Sequence, residues 1–289
     1  MWFKVDGIRV EYANNELLSL IRLGIPEGIT VIIGPNGVGK STLISIAEGL
    51  TKIDNQNNVL IGGYSPYKRS NKAFTEVAFL PEKPVPFGGS RVKDWIRLYG
   101  YLREIDKEKI LKYLDVFDLN YLLNQNCNLL SMGETQLVSL IMCLSTKARY
   151  FVLDEPNANI DSVNRIRLAK ELEEMKIKEN ASFLLTSHIL DEILPIADNV
   201  IIFNKNGIVG PVSVRGSLER KFVLIKSMNN ESLCRYLTGK IEYETNGHQV
   251  IIKNSNFPAL LKLMNDQILL EILSIQSFPH FLEGSFNLD

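Results

Sequence analysis

Gly34-Pro35-Asn36-Gly37-Val38-Gly39-Lys40-Ser41-Thr42 is the stretch around which the chain is organised. It fits G-x-x-x-x-G-K-[ST], the phosphate-loop pattern. Before it, Ile29-Thr30-Val31-Ile32-Ile33 is a continuous apolar run rich in β-branched residues. Such a run reads as a strand buried on both faces. After it, Leu43-Ile44-Ser45-Ile46-Ala47-Glu48 reads as a helix. The loop is therefore expected between a strand end and a helix start. Its glycines let main-chain N–H groups approach phosphate oxygens, and the helix N-terminus adds a favourable dipole. In this chemistry Lys40 reaches the β- and γ-phosphates and the Ser41 hydroxyl ligates Mg²⁺. The pattern implies nucleotide binding. It does not say what the nucleotide is used for.

Working outward, residues 3–10 alternate and predict a strand, with Asp6-Gly7 as a turn inside it. Short strands are expected at Val59–Ile61 and Glu76–Leu80, the latter stopped by the proline-rich stretch 81–86. A helical pattern follows from about residue 88 to 145, with Asp106 as a candidate N-cap. Tyr150–Leu153 is a second buried strand, and a helix is expected from Val163 to Lys178 with Ile166, Ala169, Leu172 and Met175 on its apolar side. Strands at Ser182–Leu185 and Asn199–Phe203 come next, with a helix between them after Thr186-Ser187-His188. Asn206-Gly207 is a hairpin signal. Alternating strands and helices imply an α/β fold with a mostly parallel sheet. From about residue 213 the rhythm changes to β-α-β-β-α-β, with Asn246-Gly247 as a hairpin signal. The expected division is 1–212 as the nucleotide-binding domain and 213–289 as a small accessory α+β domain of ferredoxin-like order.

Composition narrows the function class. The chain has 289 residues, 45% hydrophobic, and a net charge of -1. That length holds one large domain and a small one. A balanced charge argues against a nucleic-acid partner. No apolar run reaches the roughly 18 residues of a membrane helix, and the first residues do not read as a signal peptide. Cys127, Cys143 and Cys234 have no C-x-x-C spacing and read as free thiols of a reducing cytoplasm. His188, His248 and His280 lie far apart, so no histidine zinc site is expected.

Five further stretches carry chemistry. Phe151-Val152-Leu153-Asp154 ends a buried strand in an acid able to hold Mg²⁺ through water. Glu155 follows and is expected to point elsewhere by strand alternation, where it can polarise an attacking water. His188 ends the next strand and offers an imidazole to the γ-phosphate. Ser131-Met132-Gly133-Glu134 opens a helix and presents N–H groups and a hydroxyl to an anion. The same residues also fit a capping box, S-x-x-E. Asn157-Ala158-Asn159-Ile160-Asp161 leaves the acidic strand end and starts a helix.

These motifs, in this order, resemble the ATPase subunit of an ABC transporter, a P-loop NTPase, over residues 1 to about 212. Gly34–Thr42 is similar to the family's Walker A motif and Leu130–Gln136 to its signature motif. Tyr150–Pro156 is similar to Walker B with the catalytic Glu155. Asn159–Asp161 is similar to the D-loop, and His188 to the switch histidine. Tyr12 stands at the position of the aromatic that stacks on adenine. The helical stretch 88–145 corresponds to the family's inserted helical subdomain. In the tail, Leu282-Glu283-Gly284-Ser285-Phe286 resembles a closing element of the exporter branch. Four positions depart from the family pattern: Met132 for Gly, Glu82 for Gln, Leu137 for Arg and Asn159 for Gly.

The resemblance implies a cytoplasmic ATPase, held at the inner face of the membrane by a separate permease and belonging to the exporter branch. ATP and Mg²⁺ would be its cofactors. Two subunits, alike or different, would stack head to tail, each site taking Ser131, Gly133 and Glu134 from the opposite chain. Asp161 would face the nucleotide from the D-loop, and Glu82 would be a further metal ligand. The segment Glu82–Gly89 would receive the permease. A regulatory or non-transport ABC ATPase with little turnover is the alternative reading.

Overall fold

The computed structural model describes every residue except 13–14, 69–74, 205–206, 215–221, 247–248, 254–256, 264–271 and 279–289. In chain order the strands are β1 (Phe3–Tyr12), β2 (Asn15–Ile25), β3 (Ile29–Ile33), β4 (Val59–Ile61), β5 (Val77–Leu80), β6 (Tyr150–Leu153) and β7 (Ser182–Thr186). Then come β8 (Asn199–Asn204), β9 (Gly207–Ser213), β10 (Phe222–Ser227), β11 (Tyr243–Asn246), β12 (Gln249–Lys253) and β13 (Ile272–Phe278). Two compact units form: Met1–Ile29 with Ser41–Ile196, and Thr30–Lys40 with Ala197–Asp289.

In the first unit β6 lies between β5 and β7, all parallel, with Tyr150 level with Val77 and with Ser182. Every residue of β6 and β7 is buried. That is why their middle residues are apolar, with polar Ser182 and Thr186 only at the ends of β7: a parallel strand covered on both faces has no polar side. Phe151 and Phe183 stack across the pair, with ring centroids 5.0 Å apart. Tyr150 stacks on Trp2 at 5.1 Å, and its ring fills the space where a Cβ on Gly62 would stand. A second, antiparallel sheet has the order β2-β1-β4.

The helices Val92–Arg103, Lys107–Val116 and Met132–Leu144 fill the expected helical stretch. Asp106 caps the second of them, accepting the N–H groups of Glu108 and Lys109. That helix is pinned to Ser162–Glu179 by two ion pairs, Lys109–Glu179 and Lys112–Glu171, each at 2.5 Å.

Three local expectations are corrected, and one strand is new. Asp6-Gly7 is no turn: β1 runs through it with a shift of register, and Gly7 takes a φ of +64°. A bulge of this kind keeps the strand going while letting one glycine kink it. The strand β2 had no counterpart in the sequence reading. The Ser162–Glu179 helix buries Leu168, Ala169, Leu172 and Met175, whereas Ile166 is 60% exposed. At about 100° per residue Ile166 stands roughly 160° from Leu168, on the opposite face. Finally, the expected helix after His188 is a short 3₁₀ turn, Leu194–Ile196. Pro195 sits in the middle of it, lacks an N–H and biases Leu194 away from the α region.

In the second unit β3 and β8 are parallel, and β8 and β9 form an antiparallel hairpin. Residue 206 of the expected Asn-Gly turn lies outside the described residues, as does residue 247 of the other. A four-stranded antiparallel sheet follows with the order β11-β12-β10-β13. With the helices Asn230–Leu237 and Phe257–Leu263 in their places, this is a ferredoxin-like order. The buried Asn204 amide donates to the Ile272 carbonyl at 2.7 Å and ties β8 to β13. Segment 282–286 lies outside the described residues.

Candidate functional site

Residues 34–40 of the phosphate loop belong to the second unit. Val31, Ile32 and Ile33 are buried, and the chain leaves β3 at Gly34 with a φ of +151°. A Cβ on Gly34 would lie 2.3 Å from the Phe203 carbonyl oxygen, so only glycine fits against β8 here. Gly37 and Gly39 also take positive φ, +81° and +101°, and the helix Lys40–Ala47 begins directly after. Lys40 is only 7% exposed; its ammonium donates to the Gly34 and Pro35 carbonyls at 2.7 and 2.8 Å. A buried cation is thus held inside the loop by the loop's own main chain.

The acids belong to the first unit, and they cluster with the end of β7. Asp154 is 7% exposed and its Oδ1 accepts the Thr186 hydroxyl at 2.5 Å. Glu155 lies beyond the strand, not in it, with a φ of +49°. Its direction is therefore set by a left-handed turn rather than by strand alternation. The Glu155 carboxylate meets His188 in two places: Oε1 is 3.3 Å from Nε2, and Oε2 accepts the His188 N–H at 3.2 Å. Behind this pair the fully buried Asn157 donates to the Ile189 carbonyl at 2.8 Å and accepts the Ser187 hydroxyl at 2.9 Å. The Glu48 carboxyl is pushed above its usual range by burial and by the nearby Asp154 charge.

The Met132–Leu144 helix carries a complete capping box: Ser131 Oγ accepts the Glu134 N–H at 3.2 Å, and Glu134 Oε2 accepts the Ser131 N–H at 2.8 Å. Tyr121 donates to the other Glu134 oxygen at 2.9 Å. These bonds, the Ser131 N–H foremost, hold the Glu134 carboxyl below its usual range. A Cβ on Gly133 would lie 2.5 Å from the Asn159 carbonyl oxygen, so the helix start rests directly on the segment before Asp161. Asp161 in turn caps Ser162–Glu179, accepting the Asn164 N–H at 2.9 Å. Gln136, 1% exposed, donates to the Glu155 carbonyl at 3.2 Å.

Asp154, Glu155 and His188 are brought together by these bonds. Ser131 and Glu134 bond each other, Gly133 abuts Asn159, and Gln136 of the same helix bonds the main chain of Glu155. Glu82 is exposed and lies 3.9 Å from Lys83, outside the buried cluster. Tyr12 ends β1 opposite Asn15. Thr186, Gln136 and Asn157 lie inside stretches marked in the sequence, but the sequence assigns none of them a role of its own. Each is polar and buried, so it needs a partner, but its sequence neighbours do not say which.

The family model described as ABC transporter matches residues 18–158. The tungstate uptake system ATP-binding protein TupC of Peptoclostridium acidaminophilum is 30% identical over 73% of this chain and 97% of its own. The chain belongs to the ABC transporter ATP-binding family. An uncharacterized ABC transporter ATP-binding protein of Bacillus subtilis is 25% identical over 98% of this chain and 93% of its own, so the likeness extends into the tail. The dimeric structure of a bacterial ABC transporter cassette superposes with a TM-score of 0.65 at 18% identity, over 74% of this chain and all of that one. At that identity it shows the α/β fold of the P-loop ATPases. As a member of this family the ABC chain is an ATPase, the hydrolysing subunit that energises a separate permease. Membership of the exporter branch finds no support, since relatives such as TupC are named for uptake and import. Among the described residues, no helix is long and apolar enough to cross a membrane, and no three His, Cys, Asp or Glu side chains group to hold a metal.

Proposed function

We propose that this ABC subunit hydrolyses Mg-ATP with Glu155 as the base, in a head-to-tail pair of subunits docked on a membrane permease. The observation that carries the reading is the Glu155–His188 pair. A carboxylate whose side chain is 13% exposed stands beside an imidazole, directly after a buried aspartate. Such a carboxylate can take a proton from water while the imidazole faces the phosphate. Lys40 and the N–H groups of residues 34–42 take the phosphates, and Tyr12 takes the adenine. Ser131, Gly133, Glu134 and Asp161 act on the nucleotide of the opposite subunit.

Ser41 and the buried Asp154 are the groups that would hold Mg²⁺, with Glu82 as a further donor. One hydroxyl and one anchored carboxylate fit a hard cation that keeps several waters. Bound there, Mg²⁺ offsets phosphate charge. Residues 213–289 act as an accessory domain that tunes pairing or takes a regulator; their own sheet, tied to β8 by Asn204, supports that reading. The subunit works at the inner face of the membrane through its permease. Hydrolysis serves either direction of transport; an exporter would oppose the uptake role in the relative's name. The test is turnover by Glu155→Gln. Loss of hydrolysis with ATP affinity kept supports Glu155 as the base, and a wild-type rate refutes it.

A further inference from the structure

Glu155 carries a φ of +49°, a left-handed conformation that side-chain-bearing residues rarely take. Such a conformation persists only where neighbours over-determine it. Here two buried side chains, far away in sequence, grip the residue at its two peptide groups. Thr186 Oγ1 accepts the Glu155 N–H at 2.9 Å. The one proton of that hydroxyl goes to Asp154 Oδ1, at 2.5 Å. On the other side Gln136 Nε2 donates to the Glu155 carbonyl at 3.2 Å and stands 3.5 Å from that of Pro156. Thr186 and Gln136 are each 1% exposed, so water is no substitute partner.

We propose that Thr186 and Gln136 are positioning residues for hydrolysis, clamping the main chain of Glu155 so that its carboxylate stays beside His188. Thr186 does a second task, because the same hydroxyl orients Asp154. Gln136 does another: it lies in the helix that Ser131 caps. The element bearing the signature motif is thereby hydrogen-bonded to the main chain of the base in the same subunit. A shift of that helix is transmitted to Glu155 through one side chain. The inference rests on Glu155 being the base.

Three variants test it in the full chain: Thr186→Val, which keeps the branched shape and removes the hydroxyl; Thr186→Ser, which restores it; and Gln136→Met, which keeps the length and removes the donor. Turnover, KM, ATP affinity and thermal unfolding are measured together. The clamp predicts kcat lowered about tenfold or more in Thr186→Val and Gln136→Met, with ATP affinity kept and with Thr186→Ser near wild type. Wild-type kcat in folded Thr186→Val, or a Thr186→Ser as slow as the valine variant, overturns it. If Thr186→Val does not fold, Gln136→Met decides: wild-type kcat there overturns the clamp, and a kcat loss at unchanged affinity supports it. Glu155→Gln is run alongside. If it is inactive while Thr186→Val and Gln136→Met are fully active, the clamp alone fails; if it turns over normally, the base assignment itself fails.

Discussion

Glu155 and His188 touch through both the side chain and the main chain of the histidine, at 3.3 and 3.2 Å. The main-chain bond survives any change of the His188 side chain, so the carboxylate keeps one anchor without the imidazole. His188→Ala is therefore expected to stay folded and to bind ATP, with kcat lowered by about a hundredfold. Steady-state turnover beside equilibrium ATP binding checks this. A variant whose kcat is intact while its affinity falls would assign the imidazole to binding alone.

Ser131 caps its own helix and is also proposed to meet the partner's nucleotide. The cap alone predicts that Ser131→Ala loses about 1 kcal/mol of stability. The second role predicts a loss of ATP-dependent pairing far beyond that. The Glu134 carboxyl is held below its usual range, so the box is formed above the ordinary carboxylate range and is lost as pH falls through the lowered folded value. Thermal unfolding of wild type and Glu134→Ala should therefore converge in acid, whereas the Glu134 N–H bond that Ser131→Ala removes does not titrate and is missing at every pH. A gap between wild type and Glu134→Ala that stays constant down to pH 3 would contradict the carboxylate half of the box.

Glu82 is exposed and 3.9 Å from Lys83. To serve as a metal ligand it must exchange that pairing for Mg²⁺, a hard cation suited to a carboxylate. Glu82→Gln is expected to hydrolyse ATP at a comparable maximal rate and to need more Mg²⁺ for half-maximal activity. An unchanged Mg²⁺ titration removes Glu82 from the metal site.

Val85 and Phe87 are 84% and 53% exposed in a proline-rich loop, whereas Trp95 is 8% exposed. The apolar pair is thus not folded into the nearby core, and its exposure suits a surface that a partner covers. Phe87→Asp should leave folding and basal ATPase activity intact while abolishing co-purification with the permease. Retained co-purification would place the docking surface elsewhere.

What the sequence disclosed follows the range of each interaction. The phosphate loop, the Ser131 cap and the Asp106 cap depend on residues two to eight apart, and each was legible. Strand β2 was not, because the leucine-rich stretch Glu16–Leu23 does not alternate cleanly and its pairing with β1 shifts register three times. Ile166 was misplaced by carrying the stripe of Ala169, Leu172 and Met175 one three-residue step too far, each step drifting about 60° around the helix, and the helix after His188 ignored Pro195. Within the candidate site, Asp154, Glu155 and His188 were named from local pattern. The left-handed turn at Glu155 was not, since it is held by Gln136 and Thr186, 19 and 31 residues away in sequence. Polar side chains that serve a distant main chain carry no local signature.

The central claim is that Glu155 catalyses hydrolysis of ATP held between two copies of the ATPase. Gel filtration of Glu155→Gln with Mg-ATP, and separately with Mg-ADP, tests it most directly. The account predicts a stable dimer with Mg-ATP, ATP retained in the peak, and a monomer with Mg-ADP. A Glu155→Gln protein that stays monomeric with ATP bound, or that elutes with ADP as its product, would contradict it.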